Sequence, residues 1–342
     1  MTKLEEPFSP VFVARGEGPL LREIEGLGIP NYVISRKGFM GFTYVLEFMK
    51  IMRLHKVDVV HLNTLTPFCK YAGIAAFLKH LPVVWVVRED PLISRSRRLS
   101  FWLRLLAAKI VFVDQDTRNK LLHGETSERI EVIYNGVDTD YFNPAESDFF
   151  LKMFGTEKGT LFVGYIGLLT RRKGLEYLIR AFSLVRQEYR NVRMVMIGGH
   201  TANDETYFSE IRKLIKDLAL EEQIFFTGML PDVRDALRSL DIVVLPSLDE
   251  RCSRSLLEAI SCGKAAVATR VGGTPEIIED GVNGILVEPG NEEQIAKALV
   301  KLLANSKLRE EMGKKGRERA ERQFGIRQNI ERIRELYLGL RR

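Results

Sequence analysis

The chain is poor in the residues that metal and disulfide chemistry needs. Its 342 residues include three cysteines, Cys69, Cys252 and Cys262, and five histidines. An odd, scattered cysteine set with no Cys-x-x-Cys pair argues against a disulfide framework or a zinc site. There is no His-Glu-x-x-His run either, and no metal or other cofactor is expected. A reducing cytoplasm suits such a chain. Long apolar runs are also missing. Val83–Val87 and Ile242–Leu245 are strand-length, well short of the ~20 residues that cross a bilayer. The start, Met1–Pro10, is polar and acidic and does not read as a signal peptide. No period of 20–50 residues recurs, which excludes solenoids.

What is present is an ordinary globular composition, 45% hydrophobic, with a net charge of +6. That excess suits solubility, anionic substrates or an anionic surface; no nucleic-acid partner is expected. The length predicts two domains. Short β-rich runs alternate with amphipathic segments. Val11–Ala14, Tyr32–Ser35, Val57–Leu62, Val83–Val87, Ile110–Val113 and Glu131–Ile133 read as strands, and the alternation resumes with Leu161–Ile166, Arg193–Ile197, Ile224–Thr227, Ile242–Leu245, Ala265–Ala268 and Ile285–Val287. Continuous apolar strands between helices mean parallel, doubly wound α/β sheets. Turn signals at Asn135-Gly136 and Asn143-Pro144 place the junction between 135 and 160. The expected domains are 1–150, 151–322, and a C-terminal helix 323–342 packing back toward the first.

Chemistry gathers in three loops of the second half. Gly164–Gly174 runs from a strand through Gly167 into a basic cluster, Arg171, Arg172 and Lys173. Those cations can neutralise a diphosphate; the bland alternative is a solvated basic loop. Pro246–Ala259 follows the strand Ile242–Leu245, with Ser253 or Ser255 as N-cap of a helix. A helix N-terminus offers free N–H groups and partial positive charge to an anion. Glu250 precedes that end and Glu258 lies about a turn inside it, so the two carboxylates can bracket a ligand and accept hydrogen bonds from its hydroxyls. Two glutamates at that spacing are common, and a surface role is the alternative. Ala268–Glu276 gives a third strand, glycine pair and helix start, with Pro275 in the first turn. All three lie at the carboxyl ends of strands, where open α/β sheets bind ligands.

These motifs resemble the retaining family-4 glycosyltransferases of GT-B fold, which have two Rossmann-like domains facing a cleft. The resemblance rests on Gly167-x-Leu169 with Lys173-Gly174, Phe226-Thr227-Gly228, Leu245-Pro246-Ser247, Glu250 and Glu258, the run Cys262–Thr269, Val271–Glu276, Asp280–Gly284 and Asn135–Asp138. It implies a nucleotide-sugar donor held by the second half and a glycan or lipid-linked acceptor on the first. It also implies metal-independent hexosyl transfer, of the kind that builds cell-envelope polysaccharide. Lys173 is then expected at the diphosphate, Glu250 at the transferred sugar and Glu258 at the ribose. Ser253 and the N–H groups of Ser255, Leu256 and Leu257 are expected at phosphate, and Gly228 and Met229 near the base. Nothing in Phe226–Leu230 selects the base.

The sequence departs from that pattern in four places. Leu168 stands where an arginine usually helps the loop lysine, so Arg171 or Arg172 is expected to substitute. Arg251 replaces a frequent glycine, adding charge or crowding the sugar. The strand Pro82–Val87 ends at Arg88, where many relatives have histidine; Arg88 could steady the leaving diphosphate or simply pair with Glu89. The usual opening strand, glycine-rich loop and helix are absent, which predicts a chain that starts upstream of Met1. His61 reads as a structural histidine, and Asp116 of Asp114-Gln115-Asp116 as a helix cap. Ser94–Leu106 and Arg36–Phe42 mix arginines and lysine with aromatic and aliphatic residues, a pattern suited to an anionic membrane face or to a helix packed on its sheet. Two other readings share the architecture: a UDP-sugar 2-epimerase and a non-catalytic nucleotide-sugar-binding protein.

Overall fold

The structure is a computed structural model that describes residues 7–35, 41–88, 97–123, 125 and 127–340. It divides into two compact units, one of residues 1–134 with 329–342 and the other of 135–328. The expected boundary at 150 moves back because the junction segment is bonded into the second unit. Asn135 Nδ2 donates to Cys252 O at 2.7 Å. Val137 N donates to Phe324 O and Ile326 N to Val137 O. Arg317 gathers the carbonyls of Thr139, Phe142 and Ser261.

In the first unit, β1 (Phe12–Ala14) and β2 (Asn31–Val33) form a parallel pair. β3 (Val60–Leu62), β4 (Val83–Val87), β5 (Lys109–Phe112) and β6 (Ile130–Val132) form a separate parallel sheet in that order. Wholly buried β4 is its spine, with Trp85 donating to Thr64 O at 2.8 Å. β3 is shorter than the apolar run from Val57 suggested. Lys56 is left-handed (φ 48°) and Val57 N donates back to Met52 O, closing the preceding helix; the residue that ends the helix is not free to pair as strand. The cap at the strand–helix turn after β5 also differs from expectation. Asp114, not Asp116, accepts from Thr117 N (2.6 Å), and Asp116 pairs with Lys120 instead. His61 Nδ1 and the Tyr337 hydroxyl are hydrogen-bonded at 2.6 Å. Burial lowers the histidine's pKa to about 3, so it stays neutral and structural.

The second unit carries a six-stranded parallel sheet. Its strands are β7 (Leu161–Ile166), β8 (Val192–Ile197), β9 (Ile224–Gly228), β10 (Ile242–Leu245), β11 (Ala265–Thr269) and β12 (Gly284–Val287). The spatial order is β12-β11-β10-β7-β8-β9. β10 and β11 are wholly buried, as their unbroken apolar sequences require. Helices Leu175–Glu188 and Glu292–Leu303 cover one face with Leu178, Phe182, Ile295 and Leu299. The chain winds outward from β7 through β8 to β9, then returns to lay β10 against the other side of β7. That reversal is a switch point, and it opens a crevice at the carboxyl ends of β7 and β10.

Candidate active site

Three loops meet at that crevice, and the middle one, 246–251, is the anchor. From the β7 side, Leu248 N donates to Arg172 O at 2.9 Å. Gly174 is left-handed (φ 62°), and a Cβ there would lie 2.4 Å from Pro246 O, so only glycine lets the loops close so far. From the β11 side, buried Thr269 donates to Ser247 O at 2.5 Å. Gly272, also left-handed (φ 50°), presses on Glu250 O so closely that a Cβ would sit at 1.8 Å. Gly272→Ala is therefore expected to cost at least ~2 kcal/mol, from left-handed strain and displacement of the Glu250 loop. An unchanged urea midpoint would show that the loops do not meet there.

At the centre is a buried ion pair. Lys173 Nζ donates to Glu250 Oε2, and both side chains are about nine-tenths enclosed. Ser247 Oγ donates to the same oxygen at 3.1 Å. Lys173 reaches inward because it ends a short 3-10 turn, Arg171–Lys173, which turns its two neighbours to different sides. Arg172 stays with the site: Nη1 donates to Asp249 O at 2.8 Å and lies 3.8 Å from Glu250 Oε1. Arg171 leaves it, paired with Glu210 at 2.5 Å and set over the Tyr207 ring at 4.9 Å. Of the two arginines expected to stand in for Leu168, the geometry brings only Arg172 to the ion pair. Leu168 is nearly half exposed.

Arg251 does not crowd the pocket. It is buried, grips the Asp249 carboxylate with both terminal nitrogens (2.8 and 3.1 Å), and donates to Glu250 O at 2.7 Å. Because both ends of this bidentate pair belong to the loop that carries Glu250, it stiffens that loop.

The helix Arg254–Ser261 begins where expected, with Ser253 as cap. Its Oγ accepts from Leu256 N and its carbonyl from Leu257 N. Two of the three N–H groups expected at phosphate are thus already used by the turn, and that expectation narrows to Ser255. Arg254 is exposed at the first helical position, where a cation opposes the helix dipole. Glu258 is largely buried, and burial raises its carboxyl to about 7 against the smaller opposing pull of Arg254. At the end of β9, Gly228 O accepts from Gly198 N at 3.0 Å. Met229 next to it is 72% exposed, a flat apolar edge on the sheet's rim. Arg88 belongs to the first unit, where its Nε donates to Asn63 Oδ1 at 2.8 Å; Glu89, the other partner considered, lies outside the described residues. Ser247 and Thr269 were not picked out from the sequence as site residues, although both stand in motif runs that directly follow or end apolar strands.

An α/β chain of two Rossmann-like units is the architecture of the GT-B glycosyltransferases. A crystal structure of Anabaena HepE in complex with UDP and glucose matches with a TM-score of 0.86, over 95% of this chain and 90% of that chain, at 23% identity. Residues 147–319 match the family described as glycosyl transferases group 1, and residues 8–141 match glycosyltransferase family 4. The chain belongs to the glycosyl transferases group 1. Among its relatives is the N-acetyl-alpha-D-glucosaminyl L-malate synthase of Bacillus anthracis, 27% identical over 62% of this chain but only 54% of that protein. The UDP-Gal:alpha-D-GlcNAc-diphosphoundecaprenol alpha-1,3-galactosyltransferase of Escherichia coli is 25% identical over 98% of this chain and 90% of its own length.

Proposed function

We propose that this enzyme transfers a sugar from a UDP-linked donor to a glycan or lipid-linked acceptor of the cell envelope, in the cytoplasm, with retention at the anomeric carbon and no required metal. The observation that carries the reading is the buried Lys173–Glu250 pair at the β7/β10 switch point, with the capped helix Arg254–Ser261 beside it. In this reading the bond from the anomeric carbon to the diphosphate breaks as a bond to the acceptor hydroxyl forms, and the acceptor proton passes to the departing diphosphate. Charge builds on the leaving group, where Lys173, Arg172 and the Ser255 N–H can meet it without reorganising. Arg88 is proposed to act on the same charge. Glu250, already oriented by Lys173 and Ser247, accepts hydrogen bonds from the sugar; Glu258 takes the ribose; Gly228 and Met229 border the base.

The choice of uridine follows the relatives, one with UDP in its crystals and one using UDP-Gal. The name of the second, a galactosyltransferase, also favours transfer over epimerisation or mere binding. A thermal-shift comparison tests the donor half. Free UDP at a hundred times its Kd should stabilise the protein by ~2.7 kcal/mol, with GDP and ADP far behind. A shift confined to GDP or ADP reassigns the base, and no shift with any of them removes the donor site. Release of the free epimer from donor alone would replace transfer with epimerisation.

A further inference from the structure

The positive charge of this protein lies on one unit. Residues 1–134 with 329–342 hold 23 Lys and Arg against 16 Asp and Glu, net +7, whereas 135–328 hold 28 against 29. The excess thus belongs to the unit that does not carry the loops proposed to hold an anionic nucleotide. Within the charged unit, helix Gly41–Leu54 buries Val45, Phe48, Ile51 and Met52. Another side shows Phe42 (69% exposed) and Leu46 (49%), followed along the same stripe by Met49, half-buried against the core, and exposed Arg53, with exposed Lys50 alongside. Residues at i, i+4, i+7 and i+11 share one side of a helix, so Phe42, Leu46, Met49 and Arg53 form a single line, apolar at its start and basic at its end, with Lys50 at its flank.

That line joins a second exposed cluster. Met49, Lys50, Arg53, Leu54 and Lys79 line one shallow groove, and Phe77 and Leu78, both more than half exposed, end the helix Pro67–Leu78 beside Lys79. The nearest carboxylates in sequence are Glu47, half-buried at the flank of the stripe, and Asp58, beyond the helix end. The helix Arg97–Leu106 repeats the theme with exposed Phe101 and Leu105. Arg36–Met40 and Ser94–Ser96, from the basic-aromatic segments noted in the sequence, lie outside the described residues. Among the described residues no helix is long and apolar enough to cross a membrane.

We infer that the face formed by Phe42, Leu46, Lys50, Arg53, Leu54 and Lys79 docks on an anionic bilayer surface, with the apolar side chains entering the headgroup boundary. The commitment to lipid rests on complementarity. Cations alone would suit a nucleic acid or an acidic protein, but solvated leucines and phenylalanines interleaved with them suit a plane that is charged outside and apolar just beneath. The inference is independent of the donor site, which lies in the other unit.

Co-sedimentation of the whole protein with vesicles tests it. Binding is expected to equal parts of phosphatidylglycerol and phosphatidylcholine at low salt, to weaken as salt rises, and to be absent with phosphatidylcholine alone. The Lys50→Glu/Arg53→Glu/Lys79→Glu protein should lose on the order of 100-fold in partitioning, and Phe42→Ser/Leu46→Ser on the order of 10-fold. Both should keep the wild-type melting midpoint, which separates lost docking from lost folding; if either triple or double variant unfolds, Lys50→Gln/Lys79→Gln supplies the comparison. No pelleting of the wild type at low salt, equal binding to neutral vesicles, or wild-type binding by the folded variants would overturn the inference. So would capture by polyglutamate beads without vesicle binding, which would make the partner an acidic protein.

Discussion

The Lys173→Met protein is expected to lose more than a hundredfold in sugar transfer and ~3–5 kcal/mol in stability. Both losses come from one carboxylate. Glu250 is about nine-tenths enclosed and its closest cation is Lys173; removing that cation leaves a buried charge met by the Ser247 hydroxyl, the Arg251 N–H and the more distant Arg172, and breaking a buried pair from one side carries a penalty of that size. The Lys173→Met/Glu250→Gln protein separates the two effects. With both charges gone, most of the stability should return, because a buried ion pair is worth little more than well-packed neutral groups, whereas transfer should stay as low as in the single variant. Recovery of activity in the double variant would show that the pair is structural and that the chemistry lies elsewhere. Urea denaturation and product analysis on the same three preparations decide it.

Glu258→Gln is expected to do something less usual: stabilise the empty protein while weakening its grip on nucleotide. Burial raises the Glu258 carboxyl from 4.5 to about 7. A carboxyl raised on folding leaves stability intact below the unfolded value and removes it as pH climbs from 4.5 to 7, since the unfolded chain ionises first. Glutamine does not titrate and resembles the protonated form. The variant should therefore match wild type near pH 4.5 and exceed it by ~1–3 kcal/mol at pH 8, the range allowing for the solvent that reaches the side chain. In the proposed role the ionised carboxylate accepts from ribose hydroxyls, so UDP affinity in wild type should rise with pH through about 7. Glutamine should flatten that profile and cost on the order of 10- to 100-fold in Kd, the worth of a hydrogen bond to a charged group. A variant no more stable than wild type at pH 8 would rule out the burial argument; unaltered UDP affinity would remove Glu258 from the ribose.

Much of the second unit was legible in the chain. Its six strands read as apolar runs because parallel strands are buried on both faces, and the loops that follow β7, β10 and β11 could be expected to converge from topology alone. Lys173 and Glu250 were picked out in separate loops, and the structure pairs them. What sequence could not reveal is direction. Arg171 and Arg172 are neighbours of one type, yet a single 3-10 turn sends the first to Glu210 and the second to Asp249. Arg251 looked like an intruder in a pocket because its partner, Asp249, was readable only as another loop charge. The boundary was misplaced for a similar reason: Asn135 is claimed by Cys252, a contact across 117 positions that no local pattern encodes. In the first half, Val57 belonged to a continuous apolar run, and only the left-handed Lys56 before it shows that its N–H ends a helix.

The anchor loop is held largely by its own main chain. Gly174 leans on the carbonyl of Pro246, Thr269 bonds that of Ser247, Arg172 that of Asp249, and Arg251 and Gly272 meet that of Glu250. Every residue type carries a backbone carbonyl, so this frame is largely indifferent to which side chains it displays. Sequence drift at Leu248 can then alter what the pocket admits while the scaffold around it keeps its shape, and a lineage of such proteins can change what the loop displays without first having to rebuild the fold that holds it.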